Sequence, residues 1–121
     1  MKVDKNNFTD ILKQLRTQFN ASQPELELIV RDLELGVEGY VVVWNAGSLE
    51  EAPFGKGGTR IASGLSIDEV RMLAKKMALK NAASGLPIGG AKSGLVANPD
   101  SEGFELKYRR CLLYTSPSPR D

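Results

Sequence analysis

With 121 residues the chain is long enough for one domain with a modest core, burying roughly two-thirds of its unfolded surface, and too short for a two-domain enzyme. Sixteen basic against fifteen acidic residues leave a net charge of +1, so no global field draws it to nucleic acid or a membrane, and useful positive charge has to be local. A single cysteine, Cys111, excludes an internal disulfide. The lack of histidine argues against zinc, and the lack of a long apolar run or charged-then-apolar start points to a cytoplasmic domain.

Asn6 to Phe19 spaces Phe8, Ile11, Leu12, Leu15 and Phe19 as the stripe of an amphipathic helix, with Asn7 or Thr9 placed to cap it. Leu26 to Val30 is short and apolar, and Gly39 to Trp44 (GYVVVW) is β-branched and aromatic. Joined by a polar connection containing Gly36, the two predict a hairpin whose second strand is buried. Periodicity leaves open a helix running from the first of them through Leu33. The stretch NAGSLEEAPFGKGG that follows Trp44 is rich in Gly and Pro and is expected to be irregular.

Ser66 opens a clear helix, with Glu69 completing a capping box. Ile67, Val70, Leu73, Ala74, Met77 and Ala78 share one arc of it, while Met72, Leu79 and Ala83 lie opposite. A helix apolar on two sides is expected to be covered by its own sheet on one and by a partner domain or subunit on the other. Lys80 falls at the edge of the main arc, about 20° from Leu73, and is expected to be partly buried, whereas Lys75 and Lys76 read as solvated. Gly85 and Pro87 stop the helix. In the following LPIGGAKSG, Gly89, Gly90 and Gly94 read as a turn of positive-φ glycines offering N–H groups to a ligand. Ser101 looks like the cap of a helix that starts and then loses its pattern.

Lys56 and Lys92 lie inside Gly-rich segments that contain no carboxylate, and Lys80 ends the helix between them, an arrangement that reads as an anion site. Paired glycines beside a lysine occur twice, Gly57–Gly58 and Gly89–Gly90, which favours close approach of a ligand. Arg60 reads as support for its turn, and Met77 as either plain core or a substrate contact. A phosphate-binding loop is a rival reading of GLPIGGAKS. It fails by one position, because Ala91 stands where that motif needs lysine, and a helix precedes it where a strand is required.

LPIGGAKSGLVANP resembles the active-site signature of the glutamate/leucine/phenylalanine/valine dehydrogenases. KGGTR upstream and MALKNAASG between fit the same family, as do the separations of 24 residues from Lys56 to Lys80 and 12 from Lys80 to Lys92. The resemblance spans Leu26 to Tyr108. It implies the amino-terminal substrate-binding and oligomerisation domain of an NAD- or NADP-dependent enzyme that oxidatively deaminates an L-amino acid to its 2-oxo acid. In such an enzyme hydride leaves the amino acid Cα for the nicotinamide, and water attacks the resulting iminium. By the same resemblance Lys92 would be the catalytic lysine that activates this water. Lys80 would hold the substrate α-carboxylate, with Met77 one turn earlier against the substrate, and Lys56 would pair with a side-chain carboxylate. Lys56 points to glutamate, since branched-chain members tend to carry an apolar residue there; a leucine or valine dehydrogenase is the alternative. The extra glycine in PFGKGG departs from the commonest family pattern.

No GxGxxG follows a strand, so NAD or NADP would be bound mainly by a further domain, and the chain alone is expected to be inactive. A non-enzymatic reading remains beside this one, a module that only oligomerises through unpaired interface faces. CLLYTSPSPRD, Cys111 to Asp121, resembles a translated sequencing adapter, a reading that the underlying codons decide; the alternative is a natural Ser/Pro tail. The expected organisation is therefore a truncated α/β domain over residues 1–110, a mixed sheet flanked by helices, followed by a non-native tail over 111–121. Its partners would be an amino acid or 2-oxo acid and further copies of the chain.

Overall fold

The computed structural model describes residues 4–49 and 53–115, with side chains described as far as residue 111. Three helices and five strands follow in order: α1 (Phe8–Ala21), β1 (Leu26–Asp32), β2 (Val37–Val43), β3 (Gly55–Lys56), β4 (Thr59–Ala62), α2 (Ile67–Ala83), β5 (Gly89–Val96) and α3 (Phe104–Thr115). The sheet is mixed, with β1 antiparallel to β2 and β2 antiparallel to β5, while β3 and β4 both run parallel to β5 along its other edge. The expected α/β class with helices flanking a mixed sheet is what forms.

The hairpin is the one anticipated. β1 is a strand to Asp32 rather than a helix to Leu33, because pairing across the ladder from Leu26↔Val43 to Asp32↔Val37 satisfies its backbone. Alternation along β2 sends Tyr40, Val42 and Trp44 to one face, where they meet Leu65 and Val70, Ala74 and Ala78 of α2. Val37 faces the other way and joins Leu95, Ala97 and Cys111 beneath α3. Val42, Val70 and Leu95 are fully enclosed, each such side chain contributing about 1.5–3 kcal/mol relative to exposure.

Several expectations are corrected. The Gly-rich segment read as a second turn is the sheet's central strand β5, and Gly89, Gly90 and Gly94 have no positive φ; among the described residues only Gly36, Gly47, Gly85 and Gly103 do. These strand glycines answer to packing. A Cβ on Gly90 would collide with the backbone nitrogen of Ala78, so α2 can lie this close to β5 only over a residue without a side chain. The irregular stretch before Thr59 contains the two-residue β3, and its residues 50–52 lie outside the described residues. Asn7 occupies the N-cap of α1 but makes no side-chain cap, and Thr9 lies inside the helix. Ser66 caps α2 as expected, accepting from the Glu69 N–H, and Gly85 follows its C-cap with φ +75.

The apolar stripe of α1 is largely uncovered, with Phe8, Leu12 and Leu15 exposed and no residue of the helix buried. The helix is held at its end. Lys75, expected in solvent, sets its ammonium 5.2 Å from the ring centres of both Phe19 and Trp44 and donates to Asn20 O at 3.1 Å, while Trp44 Nε1 donates to Ser22 Oγ at 3.1 Å. At the other end of the chain, α3 passes through Cys111 without a break and that thiol is buried, so the helix expected to fade after Ser101 continues to Thr115. The adapter reading concerns the origin of residues 111–121 rather than their conformation, and 116–121 lie outside the described residues.

α2 is also fastened to the hairpin through Arg71, whose Nη2 donates to Glu27 Oε2 at 2.9 Å and whose Nε meets Oε1 of the same carboxylate. Hydrogen bonding to Arg71 holds the Glu27 carboxyl below the usual range. A depressed folded pKa means stability that is present above the unfolded value of about 4.3 and lost as pH falls through the folded one. Glu27→Gln is therefore expected to lower the melting temperature at pH 7, with the difference from the parent shrinking as pH is taken below about 4. Thermal scans of both proteins across that range check it. Gly90→Ala is expected to cost about 3 kcal/mol, the upper end of overpacking penalties, read from the shift in urea midpoint; an unmoved midpoint would mean α2 does not lie against β5 at this point.

Candidate active site

The site forms where the C-terminal half of α2 crosses the first half of β5. Ala78 packs over Gly90, while Val70 and Leu65 lie over Gly94, so the helix runs against the strand direction and its last turn overhangs the strand's start. Gly90, Lys92 and Gly94 share the face that α2 covers, since side chains alternate along a strand. Lys92 leaves that face half-buried, and its Nζ lies 3.5 Å from where a Cβ on Gly58 would stand. The glycine therefore leaves open space in front of the amine.

Lys56 is on β3, paired with Gly90 across the parallel bridge, and is exposed. Directly after it, Gly57 has no room for a side chain, since a Cβ there would run into the carbonyl of Ala91 and lie 3.3 Å from Met77 Cγ. Met77 thus reaches toward the Gly57–Gly58 turn, half-buried. Gly89 backs onto the main chain and amide of Asn45, whose Oδ1 accepts from the Gly90 N–H at 2.9 Å. Lys80 stands in the last turn of α2 and is exposed, contrary to the partial burial expected from its place on the helical wheel. The buried neighbour at that edge is Asn81, and the ridge of α2 that meets the sheet ends on it.

Asn81 is the residue that sequence reasoning missed. It is 6% exposed, and its Nδ2 donates both to Gly89 O at 2.7 Å and to Lys56 O at 3.2 Å. A signal for it exists in the sequence: Asn81 follows Ala74 by seven residues and Ala78 by three, so a polar side chain continues the buried arc of α2. Polar groups at such positions have to find partners.

The charge pattern separates arginines from lysines. Among the described residues the ion pairs are Arg31–Glu38, Arg71–Glu27, Arg71–Asp68, Arg109–Glu105 and Arg110–Asp32, and none involves Lys56, Lys80 or Lys92. Among the described residues the three lysines are thus not committed to carboxylates, and the strands and helix that carry them meet at the Asn81 amide. For a dinucleotide the described residues offer a poor fit. Where a strand feeds a helix, between β4 and α2, the first-turn N–H of Glu69 is already taken by Ser66 Oγ at 3.3 Å. Among the described residues no group of acidic, histidine or cysteine side chains could hold a metal, and no helix is long and apolar enough to cross a membrane.

Residues 28–116 match the family described as Glu/Leu/Phe/Val dehydrogenase, dimerisation domain. The chain belongs to this family. Over 45 residues it is 49% identical to an NADP-specific glutamate dehydrogenase of Synechocystis sp., a match covering 37% of this chain and 10% of that protein. Its fold is similar to that of L-tryptophan dehydrogenase from Nostoc punctiforme, with a TM-score of 0.61 and 18% identity over 88% of this chain and 31% of the other. It is also similar to the hetero-hexameric glutamate dehydrogenase of Thermus thermophilus in its Leu-bound form, with a TM-score of 0.58 and 23% identity over 94% of this chain and 32% of the other. The chain thus spans about a third of the length of these solved relatives and a tenth of the Synechocystis protein.

Proposed function

We propose that the chain is the substrate-binding part of an NAD- or NADP-dependent amino-acid dehydrogenase that oxidatively deaminates an L-amino acid, with glutamate as the favoured substrate. The observation that carries this reading is the placement of Lys92 on the central strand, its amine facing the open space over Gly58, with Met77 bordering the same turn. The match to a relative named as a glutamate dehydrogenase supports the substrate choice. In this reading Lys92 activates the water that attacks the iminium carbon and receives its proton. Lys80 grips the α-carboxylate, and Lys56 meets the distal carboxylate of glutamate. Both are cations not tied to any acidic side chain of the described residues, so substrate carboxylates would be their counter-ions. Gly58 keeps a side chain out of the space beside the Lys92 amine, while Gly57, Gly89 and Gly90 let the surrounding main chain close up behind the site.

NAD or NADP, held mainly outside the described residues, would supply the hydride acceptor, so these 121 residues alone are expected to bind substrate without turning it over. The whole enzyme would be a cytoplasmic homo-oligomer, and the family's description as a dimerisation domain supports a use of this part for subunit contacts.

The test is reductive amination by the enzyme that carries this chain, followed as loss of reduced cofactor with ammonia and either 2-oxoglutarate or 4-methyl-2-oxopentanoate. Faster turnover of 2-oxoglutarate is expected, and preference for the branched-chain acid would reverse the substrate assignment. Lys92→Ala is expected to lower kcat by about 10²–10⁴-fold while the circular dichroism spectrum and melting temperature stay unchanged. Retained turnover in that variant removes Lys92 from the chemistry.

A further inference from the structure

β3 is two residues long and carries Lys56. Few backbone bonds hold so short a strand: Gly55 and Lys56 pair with Gly89 and Gly90, and the Gly89 N–H donates to Phe54 O at 3.0 Å. Two residues on, the Ser93 N–H donates to Gly58 O at 3.1 Å, and the fastening from the helix side is the Asn81 amide. Its two Nδ2 hydrogens reach Lys56 O and Gly89 O, so one buried side chain joins β3, β5 and the last turn of α2. Each of those three segments contributes one lysine of the site, and Asn81 is itself the residue after Lys80. Both hydrogens are used, and a carboxylate of the same shape would have none to give.

We propose that Asn81 is a positioning residue that sets Lys56 against β5 and thereby determines how well the site distinguishes a 2-oxo acid with a distal carboxylate from one with an apolar side chain. The inference rests on the glutamate reading of Lys56, but the brace itself does not. Freed from Asn81, Lys56 O would lose its link to the helix, and the two-residue ladder would open more often. The lysine ammonium would then spend less time where a distal carboxylate lies. The α-carboxylate contact at Lys80 and the chemistry at Lys92 sit on longer elements and would be less affected.

Two measurements test this. In the 121-residue chain, Asn81→Ala is expected to speed amide exchange at Gly89 by at least about tenfold relative to amides of the β1–β2 hairpin, which Asn81 does not touch. Equal acceleration everywhere would mean that the amide only adds global stability, and would overturn the brace. In the enzyme that carries the chain, the same substitution is expected to lower the ratio of kcat/KM for 2-oxoglutarate over 4-methyl-2-oxopentanoate by at least about tenfold, through KM for the dicarboxylic acid. In a Lys56→Ala background it is expected to add nothing to that ratio, because Asn81 acts through Lys56. An unchanged ratio, or additive effects of the two substitutions, overturns the positioning role. Should the alanine variant fail to fold, Asn81→Ser keeps one donor and is expected to give an intermediate loss of preference; full preference in that variant counts against the proposal. An enzyme with no preference for 2-oxoglutarate before substitution would defeat the glutamate reading, while the exchange measurement still judges the brace.

Discussion

Everything in this domain depends on how closely α2 lies on β5. The contact of Ala78 with Gly90 admits no side chain between helix and strand, and it lowers the last turn of α2 onto the sheet at the point where β3 joins it. Close contact there has two effects. It excludes water from the middle of the sheet, where Val42, Val70 and Ala74 are fully enclosed. It also brings the end of the helix within reach of main-chain carbonyls two strands wide, so that one asparagine amide can span them.

Much of this was legible in the sequence, and the unequal success has physical reasons. The alternation of Tyr40, Val42 and Trp44 and the Ser66 cap of α2 are local patterns realised as read, whereas the cap expected of Asn7 or Thr9 on α1 is not made. The segment LPIGGAKSG was misread as a turn because glycine signals conformational freedom and close packing with the same letter. Only the partner, Ala78 on a distant helix, distinguishes the two. The same ambiguity hid β3, which exists because β5 offers it an edge rather than because Gly55 and Lys56 favour extended backbone.

The site was legible as a set of residues and less so as an arrangement. Lys92, Met77 and the Gly57–Gly58 pair are neighbours in space as well as in motif. Lys80 was expected to be partly buried on the strength of its angle on the helix, yet in the final turn it faces away from the sheet, and Asn81 takes the enclosed position. A helical wheel carries no information on where the covering surface lies. Lys75 erred in the opposite direction: lysines as a class favour solvent, and the aromatic faces of Phe19 and Trp44, from other elements, draw it in.

The mooring of α1 has a consequence of its own. Its attachment to the rest of the protein is concentrated in a few groups around Trp44, while most of its apolar stripe faces outward. Such a helix is a separately melting unit, able to peel away while the sheet stays intact. The chain's sole indole stands at the root of that motion, stripped of its hydrogen-bond acceptor Ser22 when the helix lifts while Lys75 of α2 stays beside it, so its emission is a built-in gauge of whether the helix is docked or adrift.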